Sequence, residues 1–360
     1  MIAQPTLTKT DIRLVVLDVD HTLLNNQSEL TPRTEQAIRA AMGMGVKFML
    51  ATGKNYASCR ELIQKLNIDM PCIFTQGLTI HEPNGTLRHE QTLDDDIIRR
   101  VITYAEDRGF AVVVYSQGRV LARVANPYVE EIHTRWKEVQ PEYVGTLQNL
   151  IGNVKINKLV LISPNDPRRI KALRWQLNAQ IGGNARLMSG GVPHMLEVLP
   201  PNGSKGNALR ALLKELKIDP KQVMAIGDGE NDLEMIKIAG IGVAMANAEK
   251  ILKDAADDIT SSNETDGVAK AIEKHILGAP TPSAASAPAT STVTAPASAT
   301  PTPTVEAVSA ALTTPTPVAV APSEPKPEDS APQAAPATPV AVPPEAAPAT
   351  PKPEDAPPWN

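Results

Sequence analysis

LVVLDVDHTLL, Leu14 to Leu24, joins a run of β-formers to two aspartates one residue apart. Leu14 to Leu17 is continuously apolar, carries two β-branched residues and is extended backwards by Ile12, the pattern of a strand buried on both faces of a parallel sheet. Residues i and i+2 of an extended chain point the same way, so Asp18 and Asp20 are expected to converge just beyond the strand's carboxyl end, where open α/β sheets place their ligands. Neighbouring carboxylates repel unless something cationic sits between them. A hard divalent ion such as Mg²⁺ is the simplest answer, because it prefers oxygen ligands and keeps waters and substrate phosphate in its shell. Taken alone, D-x-D also describes a solvated turn after a strand.

The chain has 360 residues, 42% hydrophobic and 3% aromatic, with net charge −5 and 33 unevenly spread prolines. From Ala279 to Asn360 it is almost only Ala, Pro, Thr, Ser and Val, with the imperfect repeats PKPED (from Pro325 and Pro351) and APATP (from Ala335 and Ala347). Such a segment buries too little apolar surface to offset its ordering entropy. Residues 279–360 are therefore expected to be a disordered tail with polyproline II character, acting as a linker or solubilising segment whose partners are unknown. Folding falls to about residues 11–278, long enough for two domains. The start, MIAQPTLTKTDIR, lacks a basic segment followed by an apolar one, and no apolar run approaches membrane-spanning length, so a cytoplasmic protein without a membrane role is expected. Mild negative charge without a basic stripe argues against a nucleic-acid partner. Cys59 and Cys72 read as reduced core thiols, with a disulfide left open.

Strands and helices alternate after the first strand. HTLLNNQSELT suits a small flap, and TPRTEQAIRAAMGMG supplies Thr31 as N-cap and Pro32 at the first helical position. VKFMLATGK, NYASCRELIQKLN and PCIFTQG follow as strand, helix and strand, so the chain begins β-α-β-α-β, which implies a doubly wound parallel sheet. LTIHEPNGTLRHE reads as a hairpin turning at Asn84-Gly85. A mixed α+β module then interrupts the pattern, before helix–strand alternation returns with LLKELKI and QVMAIGDGENDLEMIKIAG. The expected organisation is a core in two segments, 11–91 and 193–278, around an inserted module at 92–192.

Three further stretches stand at strand–helix junctions. ATGK puts Thr52 and Gly53 past the second strand, where a hydroxyl and a backbone N–H suit a phosphate oxygen. PPNGSKGNAL sets Lys205 at a helix start, and AIGDGENDLEMI carries Asp228 at a strand end with Asn231-Asp232 opening the next helix. Each alone also fits an ordinary turn, a solvated lysine or an N-cap. Together, carboxylate pair, hydroxyl, lysine and carboxylate follow the order expected of one site.

With DVDHTLL, ATGK, GSKGNAL, GDGENDLEMI, GVAMANA and TSSNETDGVAKAI in this order, the chain from about Ile12 to Leu277 resembles the haloacid dehalogenase-like hydrolases, and among them the Cof-type phosphatases with a type IIB cap. The resemblance implies a Rossmann-like core, a mobile cap and Mg²⁺-dependent hydrolysis of a small-molecule phosphate ester, sugar phosphates being usual substrates. It makes Asp18 the nucleophile that forms an aspartyl-phosphate and Asp20 the acid that protonates the leaving alkoxide and then activates water. Asp18, the Asp20 backbone carbonyl and Asp228 would ligate Mg²⁺. Thr52, Gly53 and Lys205 would orient the phosphoryl oxygens, with Asn231 and Asp232 as the phosphate-contacting and metal-orienting pair.

Two positions depart from the family. His21 stands where glycine is usual, which implies either a backbone conformation open to any residue or a side chain that crowds the flap or touches the leaving group. Gln76-Gly77-Leu78 replaces the common NGA. Within the module Arg123, His133, Arg135 and Lys158 are the polar residues that could face the site, a solvated surface role being favoured for each. A phosphomutase with the same nucleophile, and a phosphate-binding scaffold acting through the Pro-rich tail, are the rival readings.

Overall fold

The structure, a computed structural model, describes residues 11–163, 166–189, 192 and 194–278. The tail expected over 279–360 lies outside them. In chain order the first segment runs β1 (Leu14–Leu17), α1 (Pro32–Gly43), β2 (Lys47–Leu50), α2 (Tyr56–Leu66), β3 (Cys72–Phe74), β4 (Thr79–His81) and β5 (Leu87–Glu90). The middle holds α3 (Asp95–Glu106), β6 (Ala111–Ser116), β7 (Arg119–Ala122), α4 (Pro127–Thr134), β8 (Glu142–Tyr143), β9 (Lys158–Ile162), α5 (Pro167–Ile181), β10 (Arg186–Met188) and β11 (Met195–Leu199). The last segment is α6 (Lys205–Leu216), β12 (Val223–Gly227), α7 (Leu233–Ile238), β13 (Ile241–Ala244), α8 (Lys250–Lys253), β14 (Asp258–Ile259) and α9 (Gly267–Ile272).

β1 is buried at all four positions and pairs in parallel with β12 on one side and β2 on the other. Its sheet, ordered β14-β13-β12-β1-β2, is parallel throughout, and helices packed on it make an α/β fold. Burial on both faces explains the unbroken apolar run. α1 starts as its sequence requires, with Thr31 capping the Thr34 N–H and Pro32 in the first turn. Cys59 and Cys72 are free and buried in this core. β3 meets the parallel sheet through the single bridge Ala51–Ile73 and otherwise heads a small antiparallel sheet with β4 and β5.

The middle strands build a second sheet, ordered β10-β11-β9-β6-β7-β8 and antiparallel except between β7 and β8. Alternate side chains separate its faces: Val112 and Val114 pack with Ile98 and Val101 of α3 and Leu173 and Leu177 of α5, while Val113 and Tyr115 pack with Val129 and Ile132 of α4. The break expected at 192/193 falls short of the end of this sheet, because β11 pairs with β9 and β10 as far as Leu199. Glu197 interrupts the apolar run of β11 and prolines bracket it, which hides the strand in the sequence. Among the described residues no helix is long and apolar enough to cross a membrane.

After β3 the chain makes three successive left-handed residues, Thr75, Gln76 and Gly77, with φ of 53°, 62° and 93°. A Cβ on Gly77 would lie 2.2 Å from the Ser204 carbonyl oxygen, so this turn is pressed against the start of α6. Gly77→Ala combines backbone strain with a clash against rigid main chain and is expected to cost on the order of 3 kcal/mol. Gly45→Ala, at φ 88° with nothing within 4 Å of its Cβ, is expected to cost about 1 kcal/mol. Denaturant melts of the two variants check the difference.

Candidate active site

β1 ends at Leu17, and a wide turn over Val19–Leu23 replaces further strand. The alternation that would aim Asp18 and Asp20 together therefore stops before them. Asp18 stays in line with the sheet through its N–H to the Ile226 carbonyl (3.0 Å), and its carboxylate accepts from Lys205 Nζ at 2.5 Å. Asp20 instead pairs with Lys54 at 3.3 Å. Each carboxylate thus has its own ammonium partner, and both face the one cavity beyond the strand end. His21 in this turn has φ 59°, so it keeps the left-handed conformation that glycine adopts freely, which overturns the option of an unconstrained backbone. Its ring stands edge-on to Trp136 with centroids 5.9 Å apart.

Lys205 opens α6 behind the N-cap Ser204 and is 1% exposed. Its ammonium also donates to Asp232 at 2.8 Å. The other Asp232 oxygen accepts from the N–H groups of Asp228 and Gly229 at 3.0 and 3.1 Å, drawing the loop after β12 around itself. Gly227 permits this, since a Cβ there would lie 2.5 Å from that carboxylate. Asp228 accepts from the Thr22 hydroxyl at 3.1 Å.

Thr52 is buried and Gly53 follows it at the cavity wall. The Gln76 side chain crosses Gly53 so closely that a Cβ would sit 2.6 Å from Gln76 Nε2, and Gln76 Oε1 accepts from Asn231 at 3.1 Å. The departure from NGA thus places a glutamine amide between Gly53 and Asn231.

From the second sheet, Lys158 reaches this loop. It is 2% exposed, donates to the Gly53 carbonyl at 3.2 Å and to Glu197 at 2.7 Å, and its expected solvated role is corrected. The sequence hint was a lysine opening a fully apolar strand. Arg123, His133 and Arg135 bond within the second sheet's own segment, to Glu106, the Glu138 carbonyl and Glu131. Glu138, which sequence reasoning passed over, accepts from the Asn55 N–H at 3.0 Å and from Ser58, at the start of α2 where the helix dipole favours an anion. Lys54, another omission, also donates to the Trp136 carbonyl.

Carboxylate oxygens of Asp18, Asp228 and Asp232 lie within 4.8 Å of one another. Burial, then the charges of Asp18 and Asp232, holds the Asp228 carboxyl well above the usual range. Asp232 is also raised, chiefly by burial, against the pull of Lys205. Three acids on one ammonium leave excess negative charge, and an all-oxygen donor set suits a hard divalent cation, so these residues fit Mg²⁺. Burial raises Asp20 as well, against the attraction of Lys54.

The profile of the haloacid dehalogenase-like hydrolases matches residues 15–272. The chain is 30% identical over 269 residues to the 5-amino-6-(5-phospho-D-ribitylamino)uracil phosphatase YcsE of Bacillus subtilis, covering 74% of this chain and 97% of that protein. It is 31% identical over 278 residues to a protein of Arabidopsis thaliana named chloroplastic endoribonuclease YBEY, covering 75% of this chain but 47% of that protein, so it spans about half of that relative. A solved haloacid dehalogenase-like hydrolase from Bacteroides thetaiotaomicron superposes with a TM-score of 0.66 at 27% identity, covering 73% of this chain and 99% of that one. Sheet order, junction residues and these matches agree: the chain belongs to the haloacid dehalogenase-like hydrolase family.

Proposed function

We propose that this protein is a Mg²⁺-dependent phosphatase that hydrolyses a small phosphate monoester through an aspartyl-phosphate on Asp18. The observation that carries the reading is the buried Lys205 ammonium joining Asp18 to Asp232 beside Asp228, at the edge of a cavity of about 530 Å³ that Asp18, Asp20 and Asp228 line. In the first half-reaction an Asp18 oxygen attacks phosphorus, the ester P–O bond breaks and Asp20 gives its proton to the departing alkoxide. A raised Asp20 carboxyl is suited to hold that proton. In the second, ionised Asp20 takes a proton from water as the water attacks phosphorus, releasing phosphate and restoring Asp18. Thr52, the Gly53 N–H, Lys205 and Asn231 are assigned to the phosphoryl oxygens. Bound Mg²⁺ would be held by Asp18, Asp228 and the Asp20 carbonyl, with Asp232 behind them, and would supply charge neutralisation at the phosphoryl group.

Residues 92–199 act as a cap in this reading. Support comes from Lys158, Glu138 and the Trp136 carbonyl, all of which bond to the ATGK loop or the start of α2. The YcsE name makes phosphorylated small molecules the natural first panel.

Phosphate release from an aryl phosphate and from a panel of phosphorylated metabolites tests the reading. Asp18→Asn is expected to be inactive, because an amide is a poor nucleophile. Asp20→Asn should be slowed about 10²–10⁴-fold on alkyl esters and less on an aryl ester whose leaving group needs no proton. A folded, fully active Asp18→Asn would overturn the mechanism, and transfer between substrates without net phosphate release would indicate a phosphomutase.

Thermal melts with and without Mg²⁺ test the cluster. A carboxyl raised in the folded state favours folding while both states are protonated. As pH rises above the ordinary value of 3.8, the unfolded chain ionises first and that stability is lost progressively up to the raised value. The metal-free protein is thus expected to lose stability from this cluster as pH rises, and Mg²⁺, which binds the ionised acids, should raise the melting temperature more at pH 8 than at pH 5. An equal shift at both would contradict the assignment.

A further inference from the structure

The second sheet's segment supplies part of the cavity lining, and the charges of that lining say what the alcohol half of the substrate carries. Lys158 on β9 and Glu197 on β11 come from adjacent antiparallel strands, and both line the cavity although they are 2% and 8% exposed. The Lys158 ammonium is committed: it donates to Glu197 Oε1 and to the Gly53 carbonyl, and stands 4.4 Å over the Tyr115 ring. Glu197 Oε2 is buried and has no hydrogen-bond partner among the described residues. A buried carboxylate oxygen without a donor is costly, and a ligand that brings one relieves the cost.

No cation is spare. Apart from Asp18, Asp20 and Asp228, the charged lining is Lys54 and Lys158 against Glu138, Glu197, Glu249 and Glu264. Lys54 is paired with Asp20 and the Trp136 carbonyl. His21, the remaining basic group, has Nδ1 3.3 Å from Asn26 Oδ1. No arginine lines the cavity among the described residues. A second phosphate or a carboxylate on the substrate would lose its water beside acids without gaining a counter-ion. Ile132, Val160 and Met195 add an apolar wall for the carbon face of a ring.

Resting on the phosphatase reading, we infer that the site selects phosphate monoesters whose alcohol portion is neutral or bears an amine, and discriminates against those with a second anionic group. Glu197 is the specificity residue, accepting a hydroxyl or amino hydrogen from the substrate through its free oxygen.

Three sugar phosphates of one size separate the possibilities: glucose 6-phosphate, glucosamine 6-phosphate and 6-phosphogluconate, with p-nitrophenyl phosphate as the reference ester. For the full chain with Mg²⁺, kcat/KM for the first two is expected to exceed that for 6-phosphogluconate by about tenfold or more, the scale set by one uncompensated buried charge. Glu197→Gln removes the acid and releases Lys158 to meet a carboxylate, so the ratio of 6-phosphogluconate to glucosamine 6-phosphate should rise about tenfold, with melting curves confirming the fold. Equal turnover of the three sugars, none of them turned over by a protein that cleaves the aryl ester, or an unchanged ratio in folded Glu197→Gln overturns the inference. Failure on the aryl ester as well overturns the phosphatase reading from which it starts.

Discussion

The buried ammonium of Lys205, set between Asp18 at the end of β1 and Asp232 at the start of α7, is the interaction on which the arrangement of the site depends. A charge held at 1% exposure is tolerated only with close partners, and removing one partner of such a buried set typically costs about 3–5 kcal/mol. This single contact fixes α6, β1 and the loop after β12 relative to one another. It also leaves the electrostatics unbalanced. One cation serves three acids, Asp228 is held protonated to unusually high pH, and the site is pre-set to gain from a divalent ion.

Much of the core was legible because its signals are local. The apolar run of β1, the Thr31 cap with Pro32, and the glycine-rich junctions around Thr52, Lys205 and Asp228 each state their own conformation over a few residues. The alternation used to aim Asp18 and Asp20 together is not what brings them to one cavity, since period-2 alternation holds only while the strand lasts and β1 stops at Leu17. The sequence reading also placed a boundary at 192 that β11 overruns, because a charged residue inside a short strand between prolines does not read as sheet.

Residues whose meaning depends on distant partners were the ones missed or misread. Lys54 meets the Trp136 carbonyl across 82 positions, Glu138 meets Ser58 across 80, and Lys158 meets the Gly53 carbonyl across 105. Apart from the apolar strand that Lys158 opens, nothing local distinguishes them from solvated charges. Their common feature is that each joins the second sheet's segment to the ATGK loop or α2, so contacts that would hold a cap closed and contacts that would shape the leaving-group cavity share residues. The strained Thr75–Gly77 turn belongs to the same class: its sequence does not announce three left-handed residues, and Gly77 is needed where the turn meets the Ser204 carbonyl.

The central claim is that Asp18 becomes phosphorylated. Asp20→Asn protein, in which the second half-reaction lacks its base, mixed with Mg²⁺ and ³²P-labelled acetyl phosphate and then acid-quenched, examines it directly. Label that is stable to acid, labile to alkali and hydroxylamine, and confined to the peptide containing Asp18 is the expected result, absent when Asp18 is also changed to Asn. Label on another residue, or phosphate release without any labelled protein in the quenched burst, would contradict it.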